Sequence, residues 1–293
     1  MIKQISCFAL CLVLSWGILV QQATAAGAAD EAEPVVYTEE EVIVIEEPVE
    51  PVGPSLFVDK QIVEQAELSY RNGIAYVSLR HACLAMSPDA TIEWLNDHAM
   101  VTAENLNIIV YPETNYVIAN GRCLYLPQGV IKENGIISIP ARTLAMIFNS
   151  AFIHDTTTQS VYLTSGNGTI LSGDECYDED DLYWLSHIIN AESGNQPLAG
   201  KIAVGNVVLN RTKNPVFPST IYDVIFQKNQ FTPAKSGSIH LTPNEESILA
   251  AKLCLEGVEV LPTALYFNHT RSSSWAAKHK SYVTTIGSHA FYA

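Results

Sequence analysis

The stretch HIINAESGN, residues 187–195, carries one carboxylate at the end of an apolar, helix-like run. On a helical wheel with Trp184 at zero, Ile188 falls at about 40° and Glu192 at about 80°, inside the apolar stripe. The helix therefore points an acid toward the core side. Ser193-Gly194-Asn195 then ends the helix, so the acid lies at a rim where a cleft can open.

The chemistry of such a carboxylate follows from its surroundings. Burial of an ionised carboxylate without partners raises its pKa. A Glu that stays partly protonated near neutral pH is suited to general acid catalysis. The alternative is an amphipathic Glu at a helix end whose carboxylate reaches solvent. Periodicity alone leaves both interpretations open.

A second helix is predicted directly after this rim. Pro197 is suited to a helix start, and LAGKIAVGNVVLNRT, residues 198–212, is apolar nearly all round, which predicts a buried helix with close contact at Gly205. Asn206 and Asn210 lie four residues apart on one face. Buried amides need hydrogen-bond partners. A sugar-binding groove and the local backbone are the two candidates.

At this point the sequence resembles a known family. INAESGNQPLAGKIAVGNVVLNRTKNPVFPSTIYDVIFQKNQFTP, and later ALYFNHTRSSSW and IGSHAFYA, resemble the SleB/CwlJ-type spore cortex-lytic cell-wall hydrolases. The resemblance implies a mainly α, lysozyme-like (lytic transglycosylase-like) domain, peptidoglycan as substrate, and Glu192 as the catalytic acid that opens the E-x-x-x-E/Q-P stretch. It also implies a substrate groove lined by Gln230, Phe231, Tyr266, Asn268, His289 and Phe291. Many members carry a second Glu where this chain has Gln196, which puts any role of that second acid in doubt here.

Glycan cleavage usually employs two carboxylates, but no second acid with comparable placement is evident. Glu245 and Glu246 fit the first turn of a helix, and Glu256 and Glu259 flank a glycine. One acid suits a lytic transglycosylase, in which Glu192 protonates the glycosidic oxygen between N-acetylmuramic acid and N-acetylglucosamine and then deprotonates the muramic C6 hydroxyl. No metal and no cofactor is predicted.

Two other functions stay open. A zinc N-acetylmuramoyl-L-alanine amidase needs three protein ligands of His, Asp or Glu type, and His240, His269, His279 and His289 show no HExxH or tight pairing. A non-catalytic wall-binding protein is the other alternative. Retention of Glu192 in an intact motif speaks against it, and Gln196 speaks for it.

The N-terminal half reads as a duplicated β-rich domain. Short β-favouring runs alternate with turn signals such as Asn72-Gly73 and Asn134-Gly135. GIAYVSLRHACLAM (73–86) aligns with GIISIPARTLAMIF (135–148), each predicting a strand, an Arg and a short helix. This segment resembles the copper amine oxidase N-terminal-like domain, which implies attachment or positioning on the wall, or on a wall or spore-coat protein, and no copper. A passive spacer is the alternative.

The whole chain is therefore predicted to be an α+β two-domain protein. Residues 1–25 fit a secretory signal peptide, which predicts a secreted, cell wall-associated protein and no membrane anchor after cleavage. The remaining pieces are an acidic linker (26–54), the β-rich domain (55–165), a second linker (166–182) and the hydrolase domain (183–293). Vegetative wall and spore cortex both stay open as the target.

Composition supports these boundaries and excludes some partners. The chain is 48% hydrophobic and 16% charged, with a formal net charge of −15. Such a balance argues against nucleic acid as a partner.

After removal of the signal segment four cysteines remain. Their wide spacing fits either two disulfides or ordinary buried thiols. They are Cys83, Cys123, Cys176 and Cys254.

Overall fold

The computed structural model describes residues 53–272 and 274–293. The predicted signal peptide (1–25) and nearly all of the predicted acidic linker (26–54) lie outside the described residues. Strands fill the first half of the described chain and helices dominate the second, which confirms the α+β prediction. Within the described ranges, no helix combines the length and the apolar character needed to span a bilayer.

Residues 56–163 form three β-sheets and two short helices, α1 (Leu79–Met86) and α2 (Ala141–Ile147). The strands are β1 (Leu56–Val58), β2 (Gln61–Ile62), β3 (Leu68–Arg71), β4 (Ile74–Ser78), β5 (Thr91–Leu95), β6 (His98–Ala103), β7 (Leu106–Val110), β8 (Tyr116–Ala119), β9 (Arg122–Tyr125), β10 (Ile131–Glu133), β11 (Ile136–Pro140), β12 (Phe152–Asp155) and β13 (Ser160–Leu163). The sheet orders are β12-β13-β1-β2, β10-β11-β4-β3 and β5-β6-β7-β8-β9. Only the β1–β13 pair in these sheets is parallel.

The predicted duplication is visible in the β10-β11-β4-β3 sheet. Its central strands β4 and β11 pair antiparallel, with Val77 opposite Ile139. These residues stand 62 positions apart (139 − 77), which is the offset between the two aligned repeats (135 − 73). The pair therefore marks an internal two-fold axis. An exposed ion pair between Arg71 and Glu133, again 62 positions apart (133 − 71), joins the two repeats beside this axis.

The hairpin turns have the chemistry that the sequence predicts. Asn72 and Gly73 both have positive φ (49° and 78°), as do Asn134 and Gly135 (51° and 80°). Two consecutive left-handed residues are typical of a type I′ turn, which Asn-Gly adopts with little strain. The turns thereby set the register of β3 on β4 and of β10 on β11.

The second half is mainly helical and ends in a small sheet. Its helices are α3 (Gly173–Cys176), α4 (Glu179–Ser193), α5 (Leu198–Lys213), α6 (Ile221–Phe226), α7 (Thr232–Ser236), a 3-10 turn (Ser238–His240), α8 (Glu245–Leu255) and α9 (Trp275–His279). The strands β14 (Tyr266–His269), β15 (Tyr282–Ile286) and β16 (His289–Tyr292) form an antiparallel sheet of order β14-β16-β15. This sheet is an addition to the prediction, because its short strands contain polar and aromatic residues without clear alternation.

Helices α4, α5 and α8 form the centre of this half. The side chain of Asp178 accepts a hydrogen bond from the Asp181 amide and caps α4, as expected for an acid at a helix start. Most of α5 is buried, as its apolar sequence predicts. A Cβ on Gly205 would lie 2.6 Å from Cys254 Sγ and 2.9 Å from Ile189 Cδ1, so glycine allows α5 to approach both α4 and α8.

The two halves meet through a largely buried ion pair. Arg122 on β9 donates from Nε and from one terminal nitrogen to the two carboxylate oxygens of Glu256, at 2.8 and 2.7 Å. Tyr177 donates its hydroxyl to the same carboxylate at 2.8 Å. Lys252 donates to the carbonyl of Gly121 at 2.8 Å. The carboxylate therefore has a full set of partners, which a buried charge requires.

The four described cysteines are separate thiols. Cys83, Cys123 and Cys254 are buried, and Cys176 is exposed. Burial raises the pKa of Cys83 to about 12 and the pKa of Cys123 to about 11. Of the two alternatives from the sequence, these three residues follow the one in which cysteine packs as a small apolar side chain.

Candidate active site

Glu192 lies in the last turn of α4, on the side of the helix that faces the protein. Its neighbours one and two turns back are Ile188, which is fully buried, and Trp184, whose ring contacts Phe226 at a centroid distance of 5.2 Å. Glu192 itself is half-buried. The next residue, Ser193, is buried and donates its hydroxyl to the Ile189 carbonyl at 2.7 Å. The helix end is thus packed, while the carboxylate lies at its rim.

Burial raises the pKa of Glu192 from its ordinary value of 4.5 to about 7. Among the described residues, no hydrogen bond or ion pair reaches the Glu192 carboxylate that would stabilise its charged form. Removal of water is the cause of the shift, since water stabilises the ionised state. At neutral pH the group is therefore divided between its acid and base forms, which is the condition for donating and then accepting a proton.

Gln196 connects the end of α4 to the β15–β16 hairpin. Its Oε1 accepts a hydrogen bond from the Ser288 amide at 2.8 Å, and its Nε2 donates to Asn195 Oδ1 at 3.0 Å. Gly287 has a φ of 57°, a left-handed conformation that favours glycine, and a Cβ there would also crowd the Gln196 side chain. This contact places the hairpin that carries His289 beside the turn that follows Glu192.

Three of the predicted groove residues belong to one aromatic cluster centred on Phe267. The ring of Phe267 lies 5.3 Å from His289, 5.9 Å from Phe291 and 6.3 Å from Phe231, measured between centroids. Phe231, His289 and Phe291 are buried. Tyr266 precedes Phe267 on β14 and is half-buried, but its ring contacts Phe217 and Trp275 instead, at centroid distances of 6.0 and 5.8 Å. These side chains therefore form packed structure beneath a surface, and Phe291 in particular is a core residue.

Arg211 belongs to this cluster and was missed by the sequence analysis. It is 4% exposed, near the end of α5, and its Nε donates to the Leu265 carbonyl at 2.8 Å. The guanidinium lies 5.0, 5.1 and 5.4 Å from the rings of Phe217, Phe231 and Tyr266. Burial lowers its pKa to about 10. The sequence signal that could have identified Arg211 was a cation at the polar end of a mostly apolar helix.

Two buried nitrogens of the cluster lack partners among the described residues, namely one terminal nitrogen of Arg211 and Nδ1 of His289. Burial, and secondarily the charge of His269, lowers the pKa of His289. His289 is therefore neutral at neutral pH. Unpaired buried polar atoms are uncommon in folded proteins, and here both belong to the same aromatic cluster.

Asn206 and Asn210 have a different role from the substrate contact considered for them. Asn206 Nδ2 donates to the Val258 carbonyl at 2.7 Å, and its Oδ1 accepts from the Val260 amide at 2.8 Å. Asn210 Nδ2 donates to the carbonyls of Leu261 and Ala264 at 2.7 and 3.0 Å. Both side chains are buried and hold the segment that leads into β14. Both amides therefore hydrogen-bond to the protein backbone, which was one of the two alternatives from the sequence. Their assignment to a sugar-binding groove is corrected.

The other predicted polar residues are at the surface. Gln230 is exposed beside the buried Phe231. Asn268 is half-buried on β14, with Nδ2 donating to the His269 carbonyl at 2.9 Å and Oδ1 accepting from Ser274 Oγ at 2.6 Å. Trp275 is 58% exposed, and its ring lies 5.8 Å from that of Tyr266. Lys280 Nζ lies over both rings, 4.8 Å from the centre of Tyr266 and 5.4 Å from the centre of Trp275.

Three of the other acids considered from the sequence are engaged with cations. Glu246 pairs with Lys201, Glu256 with Arg122 and Glu259 with Lys213. Glu245 is exposed in the first turn of α8.

Among the described residues, no group of three or more His, Cys, Asp or Glu side chains has the geometry to hold a metal ion. Cavities of about 740, 530 and 430 Å³ are lined by residues other than Glu192.

Comparison with protein-family models gives two matches. Residues 195–292 match the Cell Wall Hydrolase family, and residues 57–163 match the Copper amine oxidase N-terminal domain family. Both resemblances predicted from the sequence are thereby confirmed at the level of the two domains. The hydrolase match begins at residue 195, after Glu192.

Similar curated proteins include two named spore cortex-lytic enzyme. The one from Bacillus cereus is 33% identical over 117 residues, which is 39% of this chain and 45% of that protein. The one from Bacillus subtilis is 30% identical over 117 residues, or 38% of that protein. The chain therefore spans less than half the length of these relatives. Among solved structures, the catalytic domain of the germination-specific lytic transglycosylase SleB from Bacillus anthracis aligns with 31% identity and a TM-score of 0.38, over 40% of this chain and 97% of that domain.

Proposed function

We propose that the chain is an exported peptidoglycan-lytic enzyme that cleaves the glycan strand between N-acetylmuramic acid and N-acetylglucosamine. The observation that carries the proposal is the half-buried Glu192, with a pKa of about 7 and no polar partner among the described residues, three positions before the segment that matches the Cell Wall Hydrolase family. Spore cortex-lytic relatives support a role in lysis of the spore cortex during germination. The predicted signal peptide supports secretion to the cell wall.

In the proposed mechanism Glu192 acts twice. It first donates its proton to the glycosidic oxygen while the bond from that oxygen to C1 of N-acetylmuramic acid breaks. It then accepts the proton of the C6 hydroxyl as this oxygen bonds to C1, which closes a 1,6-anhydro ring. The carboxyl ends the cycle as it began, protonated, and no water is consumed. A pKa near the working pH serves both steps.

The surroundings of Glu192 favour a mechanism with one acid. Hydrolysis with two carboxylates needs a second, free carboxylate about 5–9 Å away. Of the four acids considered, Glu246, Glu256 and Glu259 each pair with a cation, and Glu245 is exposed in the first turn of α8, so none is a half-buried and unpaired carboxylate like Glu192. A lytic transglycosylase, in which the substrate supplies its own nucleophile, therefore fits the site better than a hydrolase.

Substrate contacts divide between surface and base of the proposed groove. Tyr266 and Trp275 present rings suited to stacking on sugar faces. Gln230 is exposed and offers both a donor and an acceptor for N-acetyl groups. Phe231, buried beneath, supports these positions rather than contacting sugar.

Mass spectrometry of purified peptidoglycan, vegetative and cortex, after incubation with the protein tests the proposal. The expected products are fragments ending in 1,6-anhydromuramic acid, which Glu192→Gln fails to release. Activity that survives a chelator is also expected. The substrate that is cut faster identifies the target wall.

Each other product identifies a different function. Reducing ends would show that water attacks, and a second catalytic group would then be required. Free stem peptides with intact glycan, together with loss of activity in the chelator, would indicate a zinc amidase. Binding without any product would indicate a non-catalytic wall-binding protein.

A further inference from the structure

The duplicated N-terminal domain contains two grooves built from equivalent positions. The first groove has a volume of about 740 Å³ and includes Tyr70 of β3, Arg142 at the start of α2, and Phe152 and His154 of β12. The Arg142 guanidinium lies over the Phe152 ring at 4.3 Å. Across the groove, the Tyr70 hydroxyl and His154 Nε2 are hydrogen-bonded at 3.0 Å.

The second groove, of about 430 Å³, repeats this plan with other side chains. It includes Lys132 of β10, Arg80 at the start of α1, and Ile92 and Trp94 of β5. Lys132 corresponds to Tyr70 and Arg80 to Arg142, each at an offset of 62 positions (132 − 70 and 142 − 80). Ile92 corresponds to Phe152 and Trp94 to His154, each at an offset of 60 positions (152 − 92 and 154 − 94). The cross-groove pair is again present, as Lys132 Nζ lies 4.4 Å from the centre of the Trp94 ring.

The chemistry of the second groove is cationic and aromatic. Trp94 is 48% exposed, which is unusual for so large a ring. Arg80 makes one long hydrogen bond, at 3.4 Å, to a backbone carbonyl. The groove is lined by two cations, Arg80 and Lys132, and by one acid, Glu93. It therefore carries an excess of positive charge in a chain of net charge −15.

A ring beside two cations that have no carboxylate partner among the described residues selects a particular kind of ligand. The face of an indole accepts the apolar face of a sugar or an aliphatic side chain. A guanidinium and an ammonium bind carboxylates. The ligand should therefore combine a sugar or aliphatic face with one or more carboxylates a few ångströms away. A glycan strand with acidic stem peptides has this combination.

We infer that the second groove is an accessory binding site for peptidoglycan strands that carry stem peptides. The carboxylates of the peptide bind Arg80 and Lys132, and the adjoining sugar or side chain packs on Trp94. The choice of peptidoglycan as the polymer comes from the proposed function, and this part of the inference rests on that function. The first groove offers the equivalent positions, but residues 256–260 of the hydrolase domain also line it, whereas the second groove is lined by residues of the duplicated domain alone.

The test uses the full chain with Glu192→Gln, so that the polymer stays intact during the measurement. Binding is measured by co-sedimentation with purified sacculi and by calorimetric titration with disaccharide-tetrapeptide. Trp94→Ala and Arg80→Gln are each expected to raise the Kd about tenfold, or about 1.4 kcal/mol. Trp94→Phe, which keeps an aromatic face, should restore most of the affinity. Lys60→Gln removes a charge from an exposed turn outside both grooves and should leave the Kd unchanged.

Competition distinguishes the possible ligands. Glycan strands stripped of stem peptides should compete weakly, whereas disaccharide-tetrapeptide should compete fully. Equal competition by stripped strands, or competition by a phosphate-rich wall polymer in place of muropeptide, overturns the inference, as does unchanged binding by Trp94→Ala.

Activity is measured separately on the background with Glu192 intact. Trp94→Ala should retain the turnover of soluble muropeptide oligomers while losing turnover of sacculi. If the parent protein cuts neither substrate, the proposed function fails, yet the binding data still decide whether the groove takes muropeptides. The two failures are therefore distinguishable.

Discussion

Replacement of Glu192 by Gln should abolish glycan cleavage and, at alkaline pH, stabilise the fold. Gln has nearly the same shape as a protonated Glu but cannot ionise. In the folded protein Glu192 has a pKa of about 7, against an ordinary value of 4.5. Between these two pH values the folded protein holds a proton that the unfolded chain has released. Stability therefore falls as pH rises through this window.

The size of the effect follows from the two pKa values. The interval from 4.5 to about 7 corresponds to about 3 kcal/mol, at about 1.4 kcal/mol for each pH unit. Because the side chain is half-buried, solvent screening reduces this value, and we expect about 2–3 kcal/mol. Relative to the parent, Glu192→Gln should therefore show no gain near pH 4 and the full gain at pH 8.

Urea denaturation between pH 4 and pH 8 measures this difference directly. Comparison of the two proteins at each pH cancels the contributions of all other titrating groups. Glu245→Gln is the matched control, because it removes an exposed carboxylate of the same domain. Its effect on stability should change little across the same pH range.

Two results would refute the reasoning. Equal stability of parent and Glu192→Gln at pH 8 would mean that the carboxylate is solvated or has an unseen partner. If Glu192→Gln loses stability relative to the parent as the pH rises from 4 to 8, the charged form of Glu192 is the one that the fold stabilises. In either case the general acid role would lose its physical basis.

Three further substitutions test the packing around the site. Arg122→Ala leaves Glu256 buried without its cation and should reduce the free energy of unfolding by about 3–5 kcal/mol in urea denaturation. Gly205→Ala forces a Cβ into the contact between α5 and its neighbours, and thermal denaturation should show a loss of about 1–3 kcal/mol. Asn210→Ala leaves two backbone carbonyls unpaired and should cost about 1–3 kcal/mol, while the KM for peptidoglycan of the folded fraction stays unchanged.

The controls come from the same structural elements. Lys213→Ala breaks an exposed ion pair and should cost less than about 1 kcal/mol. Gly200→Ala lies in the same helix as Gly205, but its nearest contact would be 3.2 Å, to the Gln196 side chain, so the loss should be smaller. A raised KM in Asn210→Ala without loss of stability would restore the substrate role that the structure contradicts.

Much of the fold was predictable because local signals and long-range packing agree. Asn-Gly turns, alternating strands and the 62-residue offset predict the duplicated domain, and Pro197 marks the start of a helix. These signals depend only on neighbouring residues. The helical wheel likewise placed Glu192 correctly among apolar neighbours. On the same wheel His187 falls at about 300°, on the side opposite the apolar stripe. His187 is 8% exposed, because α4 is covered on more than one face.

The details of the site were less predictable, because they depend on segments distant in sequence. Arg211 and His289 lie 78 positions apart (289 − 211), and only the packing of β14 against α5 and β16 brings their surroundings together. The partners of Asn206 and Asn210 are backbone atoms more than 50 positions away. A spacing of four on a helix predicts that two amides share a face, but it does not predict what that face contacts.

The contacts of Gln196 explain why loss of a second acid is compatible with the proposed activity. The Ser288 amide needs an acceptor, and the amide oxygen of Gln196 supplies it. A carboxylate there would make the same hydrogen bond, but it would add a negative charge four residues from Glu192. Like charges raise each other's pKa, so the acid form of Glu192 would persist to higher pH and its base form would become scarcer. With Gln196, desolvation alone sets the pKa of Glu192 at about 7, where proton donation and proton acceptance are both available to one carboxyl group.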